Sequence, residues 1–176
     1  DVPVLAYHQI KMMRNQRPTY RGLVVDAVSF ERQMSILRAF GFSTVSLIDL
    51  AKALAGDRPL PPRPVVITFD DGYAGAYHFA FPILRRHTFA ATLFLIAEDF
   101  IDKSERQNQR AFPIMTRSQV AEMVAAGFHI GSHSVSHPHL NELSDSDART
   151  EITKSRKILE NAFQCGVEAF CYPYGV

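Results

Sequence analysis

Short apolar runs alternate with amphipathic stretches along most of this chain, and this alternation constrains its fold more than any other sequence feature. The spacing predicts six strands, over residues 2–7, 44–47, 65–69, 89–96, 128–132 and 167–172. Helical patterns lie between most of them, including one that Ser29 can cap and a longer one that begins at Ser144 or Ser146. Strands that alternate with helices predict an α/β fold with a parallel sheet. An open doubly wound sheet and a barrel both fit this pattern.

The size and composition of the chain are those of one globular domain. It has 176 residues, of which 47% are hydrophobic and 21% are charged, so we predict a single domain over residues 1–176. The 19 basic and 18 acidic residues give a net charge of +1, which disfavours a nucleic-acid partner. No apolar run reaches the ~18 residues that a membrane span requires.

Two adjacent carboxylates follow the predicted strand 65–69, in the run Thr68-Phe69-Asp70-Asp71-Gly72. At a strand end followed by glycine, both side chains can turn toward one pocket. Burying two carboxylates together is costly unless a cation or hydrogen bonds compensate for their charge. The alternative interpretation is an ordinary turn at the strand exit.

A pair of histidines, His133 and His137, follows the predicted strand 128–132. In an extended chain they would lie ~13 Å apart, which is too far to share one ion. In a helical turn they would lie ~6 Å apart on one face, so a single turn is expected here. Imidazole nitrogen suits zinc, cobalt, nickel or iron. Two unrelated histidines in a surface loop are the alternative.

Together, the two motifs indicate a catalytic metal site. Asp71 can be a third ligand beside the two histidines, which leaves coordination positions open for water and substrate. Asp70 would then be a free carboxylate in the position of a general base.

A third motif, Pro173-Tyr174-Gly175, follows the last predicted strand. It can present a backbone N–H to a developing oxyanion, or it can be a simple aromatic turn.

The order of these motifs resembles the polysaccharide deacetylases, also called the NodB-homology or carbohydrate esterase family 4 proteins. The resemblance implies a distorted parallel (β/α) barrel that removes N-acetyl groups from N-acetylglucosamine polymers. It implies Asp70 as the base, Asp71, His133 and His137 as metal ligands, and the backbone N–H of Tyr174 in the oxyanion site. The metal would be zinc, with cobalt, nickel, manganese or iron as alternatives, and the substrate places the protein in the periplasm, at the cell surface or outside the cell.

The chain departs from the family pattern in two ways. Many members carry an arginine at the start of the third motif, whereas no arginine lies between Lys157 and Val176 here. The catalytic histidine expected after the third motif is also missing. The run Val4-Leu5-Ala6-Tyr7-His8 is similar to the start of a circularly permuted subgroup that includes poly-β-1,6-N-acetylglucosamine deacetylases. In that subgroup the histidine motif lies on the first strand, so His8 is the expected general acid, facing Asp70 across the metal.

Three functions therefore remain open from the sequence. The first is a metal-dependent N-deacetylase of an amino-sugar polymer in a cell wall or exopolysaccharide. The second is an inactive carbohydrate-binding relic of the same fold, which the missing arginine favours. The third is a hydrolase of another amide or ester, because the predicted site does not specify the acyl group.

Overall fold

A parallel sheet lies at the centre of this computed structural model, which describes residues 1–13, 22–101 and 111–176. Its strands run in the order β1-β5-β6-β7, and β4 pairs with the start of β5. A separate parallel pair, β2 and β3, follows the first strand. The strands are β1 Val4–Tyr7, β2 Gln9–Lys11, β3 Val24–Asp26, β4 Ser43–Thr44, β5 Pro64–Phe69, β6 Thr92–Leu95 and β7 His129–Ser132. The predicted α/β class is confirmed, and within the described residues the sheet stays open between β1 and β7.

Five α-helices in the described residues connect and cover these strands. They are α1 Ala27–Ala39, α2 Leu47–Leu54, α3 Phe81–Arg86, α4 Arg117–Ala125 and α5 Asp145–Phe163. Ser144 caps α5 by accepting a hydrogen bond from the backbone N–H of Asp147, as predicted. The cap of α1 is Asp26 and not Ser29, because the helix starts earlier and the Asp26 carboxylate accepts from its first free N–H groups. No helix in the described parts of the chain has the length and apolar character that crossing a membrane requires.

Both faces of the central strands are buried, which explains their continuous apolar runs. Residues 65–69 of β5 and all of β6 are buried. Phe30 and Met34 of α1 are fully buried, and the Phe30 ring packs edge-on against Tyr7 with a centroid separation of 5.0 Å. Full burial of each such side chain contributes about 1.5–3 kcal/mol. This packing fixes β1 and β5 side by side, so their carboxyl ends lie together.

The prediction of a sixth strand over residues 167–172 is wrong, because this segment does not form a strand in the structure. The segment makes a single parallel bridge, from Phe170 to Ser132 at the end of β7. Ser132 donates its backbone N–H to the carbonyl of Ala169, and its own carbonyl accepts from Cys171. The segment therefore follows the edge of β7 for one residue pair, which is enough to bring the third motif to the carboxyl end of the sheet.

Candidate active site

The turn after β5 directs two carboxylates into one buried pocket. Asp70 and Asp71 are 7% and 8% exposed. Asp71 has a φ of 69° and Gly72 a φ of 75°, which is a left-handed turn that few side chains adopt. This turn breaks the strand alternation that would otherwise point the two carboxylates to opposite faces. As a result, each carboxylate has an oxygen within 4.8 Å of a ring nitrogen of His133.

A loop, and not the predicted helical turn, brings the two histidines together. His133 follows β7 directly, and the backbone of residues 133–137 forms bends with no helix. Ser134 and His137 have φ values of 66° and 63°. These two left-handed residues fold the loop back on itself, so that the Nε2 atoms of His133 and His137 lie 3.2 Å apart.

Asp71 completes a triangle of metal-binding atoms with these histidines. Its Oδ1 lies 3.5 Å from Nε2 of His133 and 3.4 Å from Nε2 of His137. A tetrahedral zinc ion with bonds of about 2.0–2.1 Å has its ligands about 3.4 Å apart. The triangle therefore matches one face of such a tetrahedron. Asp71 Oδ1 is buried and has no hydrogen-bond partner within the described residues, as expected for an atom that a cation would satisfy.

The backbone of the third motif orients His133. Nδ1 of His133 lies 2.9 Å from the carbonyl oxygen of Cys171. A carbonyl can only accept, so Nδ1 carries the proton and donates it, and Nε2 presents its lone pair to the ligand triangle. This contact links the end of β7 to the segment that carries Tyr174.

A second set of potential ligands, Asp70, His133 and Cys171, also lies within 4.8 Å. In the metal-free protein, burial together with the charges of Asp70 and Asp71 raises the pKa of Cys171 to about 12. The Cys171 sulfur lies 3.9 Å from Oδ2 of Asp70, whereas the atoms of Asp71, His133 and His137 lie 3.2–3.5 Å from one another, as a tetrahedral zinc ion requires. The geometry therefore favours the set of Asp71, His133 and His137.

Asp70 lies beside this triangle without being part of it. Burial raises the pKa of its carboxyl group above the usual range, the neighbouring Asp71 carboxylate adds to that rise, and the proximity of His133 and His8 opposes it. Its Oδ2 lies 3.9 Å from the Cys171 sulfur. Its Oδ1 is buried without a hydrogen-bond partner among the described residues. A carboxylate with a free oxygen next to a cation site is suited to accept a proton.

His8 lies at the end of β1 with its Nε2 4.0 Å from Oδ2 of Asp70. His8 therefore lies next to Asp70, which differs from the expected position facing Asp70 across the metal. The pairing of β1 with β5 explains this, because Tyr7 and Phe69 are register partners and each is followed by a site residue. His8 is partly exposed, whereas the neighbouring Asp70 is buried.

Tyr174 covers one side of the ligand triangle. Its ring centroid lies 4.7 Å from that of His137 and stacks at 3.9 Å on His139, with the two planes 8° apart. Tyr174 has a φ of 58°, and its side chain is 61% exposed. His139 thus supports the third motif by ring stacking, which sequence spacing did not indicate. His129, at the start of β7, is exposed.

Comparison with known proteins identifies this arrangement. The sequence profile of the polysaccharide deacetylase family matches residues 57–176, which include both carboxylates, both histidines and Tyr174. The chain belongs to the polysaccharide deacetylase family. The predicted family resemblance is thereby confirmed, and with it the NodB-type α/β fold.

Three relatives illustrate the range of the family. YxkH of Bacillus subtilis (strain 168), named as a polysaccharide deacetylase, is 30% identical over 174 residues, which is 99% of this chain and 57% of YxkH. The poly-β-1,6-N-acetyl-D-glucosamine N-deacetylase of Staphylococcus epidermidis is 28% identical over 156 residues, covering 84% of this chain and 52% of the relative. The Streptococcus pyogenes deacetylase PplD, solved in complex with acetate, superposes with a TM-score of 0.84 at 26% identity over 98% of this chain and 73% of that one. This chain thus spans a little over half of the length of the two sequence relatives.

Proposed function

We propose that this polysaccharide deacetylase is a metal-dependent hydrolase that removes N-acetyl groups from a polymer containing N-acetylglucosamine. The observation that carries the proposal is the triangle of Asp71, His133 and His137, whose sides of 3.2–3.5 Å fit one tetrahedral ion. Three protein ligands leave a position open, as catalytic zinc sites do. The free carboxylate of Asp70 beside the triangle adds the base that hydrolysis requires.

Asp71, His133 and His137 would hold the metal ion. A divalent cation at this position supplies Lewis acidity toward the acetamide carbonyl and lowers the pKa of a water molecule. Zinc fits the donor set best, because two imidazoles and one carboxylate are typical zinc ligands.

The remaining site residues would handle protons and charge. Asp70 takes a proton from the attacking water at its carboxylate. His8 is the donor that protonates the departing amine, which is a poor leaving group unless it receives a proton as the C–N bond breaks. The backbone N–H of Tyr174 donates a hydrogen bond to the carbonyl oxygen as negative charge develops there. Because His8 lies next to Asp70, the proton taken from water and the proton given to the departing amine would be transferred on the same side of the site.

The substrate is proposed from the relatives, several of which are named for amino-sugar polymers. The similarity to the Staphylococcus epidermidis poly-β-1,6-N-acetyl-D-glucosamine deacetylase covers more of the chain than the similarity to the Bacillus cereus peptidoglycan deacetylase does, which favours a β-1,6-linked exopolysaccharide over a β-1,4-linked cell-wall polymer. Such polymers lie outside the cytoplasm, so we place the site of action there.

The proposal is tested by measuring the acetate that the purified protein releases from β-1,6-linked and β-1,4-linked N-acetylglucosamine oligomers. The assay is run after removal of metal with a chelator and again after addition of Zn²⁺ or Co²⁺. We expect release that depends on added metal and is faster with the β-1,6 oligomers. Metal binding without acetate release from any oligomer would favour the carbohydrate-binding relic, and release only from simple acetyl esters would favour another hydrolase.

A further inference from the structure

We propose that Glu151 is a positioning residue that fixes the loop carrying His137 and thereby sets the affinity of the site for its metal. The inference rests on the proposed metal site and adds a determinant to it that lies outside the motifs. Glu151 belongs to α5, and it acts on the ligands through the backbone of the loop between the two histidines.

Three hydrogen bonds join Glu151 to this loop. Its Oε2 accepts from the backbone N–H of Val135 at 2.7 Å and of Ser136 at 3.0 Å. Its Oε1 accepts from the hydroxyl of Ser136 at 2.9 Å. Hydrogen bonds to a carboxylate are stronger than those between neutral groups. One side chain therefore binds both of the residues that immediately precede His137.

The helix that carries Glu151 is itself fixed to the strand that carries His133. Glu151, Ser155 and Leu159 are spaced at i, i+4 and i+8 and so lie on one face of α5. Leu159 is fully buried in the core, and the hydroxyl of the fully buried Ser155 lies 2.6 Å from that of Ser132, the last residue of β7. The two ends of the histidine loop thus have one common support, with Ser132 held by Ser155 and Ser136 held by Glu151.

The loop needs such a support because two of its residues have an unfavourable backbone conformation. Ser134 and His137 both have positive φ, a conformation that residues other than glycine seldom adopt without surrounding contacts that impose it. Ser134 contributes by accepting the backbone N–H of His137 at its hydroxyl, at 2.9 Å. Without the Glu151 carboxylate, two backbone N–H groups between the histidines would lose their acceptor, and His137 would lose its fixed position relative to Asp71.

The test is Glu151→Gln, which keeps the shape of the side chain but replaces one carboxylate oxygen with an NH₂ group that cannot accept. At least one of the three hydrogen bonds is lost. We expect the affinity for Zn²⁺, measured by competition with a chromophoric chelator, to fall by about 10- to 100-fold, as it does when ligand-orienting contacts are removed. The thermal unfolding of the metal-free protein is measured in parallel. Glu142→Gln makes the same charge change at an exposed position and should leave the affinity unchanged.

A double-mutant comparison separates positioning from general damage. In a His137→Ala background, Glu151 has no ligand left to position, so Glu151→Gln should change the affinity for Zn²⁺ by less than about twofold. An equal loss in both backgrounds, or unchanged affinity after Glu151→Gln alone, would overturn the inference. If the unaltered protein binds no Zn²⁺, the proposed metal site fails and not only the role of Glu151.

Discussion

A methyl group added at Gly131 should damage the proposed metal site without touching any of its proposed ligands. Gly131 lies on β7, two residues before His133, and its register partner on β6 is Phe94. The Phe94 ring lies over the glycine, so there is no room for a side chain. The φ of Gly131 is not left-handed, so the close approach of the ring, and not a special backbone conformation, requires glycine here.

The size of the effect follows from the contacts that the new Cβ atom would make. In Gly131→Ala it would lie 2.3 and 2.4 Å from two carbons of the Phe94 ring. Carbon atoms pack at about 3.5–4.0 Å, so the ring or the strand must move by about 1 Å. Overpacking of this kind costs about 1–3 kcal/mol of folding free energy. Metal–ligand bonds tolerate only about 0.2 Å, so a shift of β7 that carries His133 with it should lower the affinity for Zn²⁺ about tenfold or more.

The assay is denaturant unfolding of the metal-free protein combined with a Zn²⁺ competition titration. Gly166→Ala is the matched control, because its Cβ would meet its nearest atom, Oε1 of Glu168, at an ordinary distance of 3.7 Å. It should change neither quantity. If Gly131→Ala unfolds with the free energy of the unaltered protein and binds Zn²⁺ equally well, then the strand does not hold His133 as described.

The other predictions concern the site residues themselves. His133→Ala removes one of three ligands and should sharply weaken Zn²⁺ binding in a titration, whereas His129→Ala at an exposed position should not; equal effects would place the metal elsewhere. Asp70→Asn should keep the metal but lower kcat by about 10²-fold or more, and loss of metal as well would make Asp70 a ligand. Because burial raises the pKa of Asp70, its protonated form stabilises the metal-free protein at acidic pH, and this contribution is lost as the pH rises through the raised pKa. Unfolding in the presence of chelator should therefore show Asp70→Asn gaining stability relative to the unaltered protein as the pH rises. His8→Ala should keep the metal, lower kcat and remove the alkaline limb of the pH–rate profile; if that limb persists, the acid is another group.

The central strands could be predicted because their apolar runs are long and rich in branched and aromatic residues. β5 and β6 follow this rule, and the structure buries them on both faces. β2 and β3 have three residues each, which is too short for any periodicity to show. The predicted strand 167–172 had the right composition, but it reaches β7 only through Ser132, and Pro173 follows it at once.

The sequence predicted which residues form the candidate site better than it predicted how they are arranged. Asp70, Asp71, His133 and His8 each follow a strand, and parallel strands bring their carboxyl ends together. The path between the histidines was not predictable, because residue spacing does not reveal that Ser134 and His137 are left-handed. Contacts made by α5 were equally hidden, since they join segments that are distant along the chain.

Most of the unfavourable backbone conformations among the described residues lie at the candidate site. Asp71, Ser134, His137 and Tyr174 all have positive φ, and each such residue costs about 1–3 kcal/mol relative to a relaxed conformation. The other two non-glycine residues with positive φ are Thr88 and Gln164, which lie just past helices. Selection for stability alone would therefore act first against the site residues, since relaxing them would strengthen the fold while dispersing the chemical groups. The interiors of the described α-helices have no positive φ, so an evolving or engineered version of this chain can gain thermal tolerance there while the site stays unchanged.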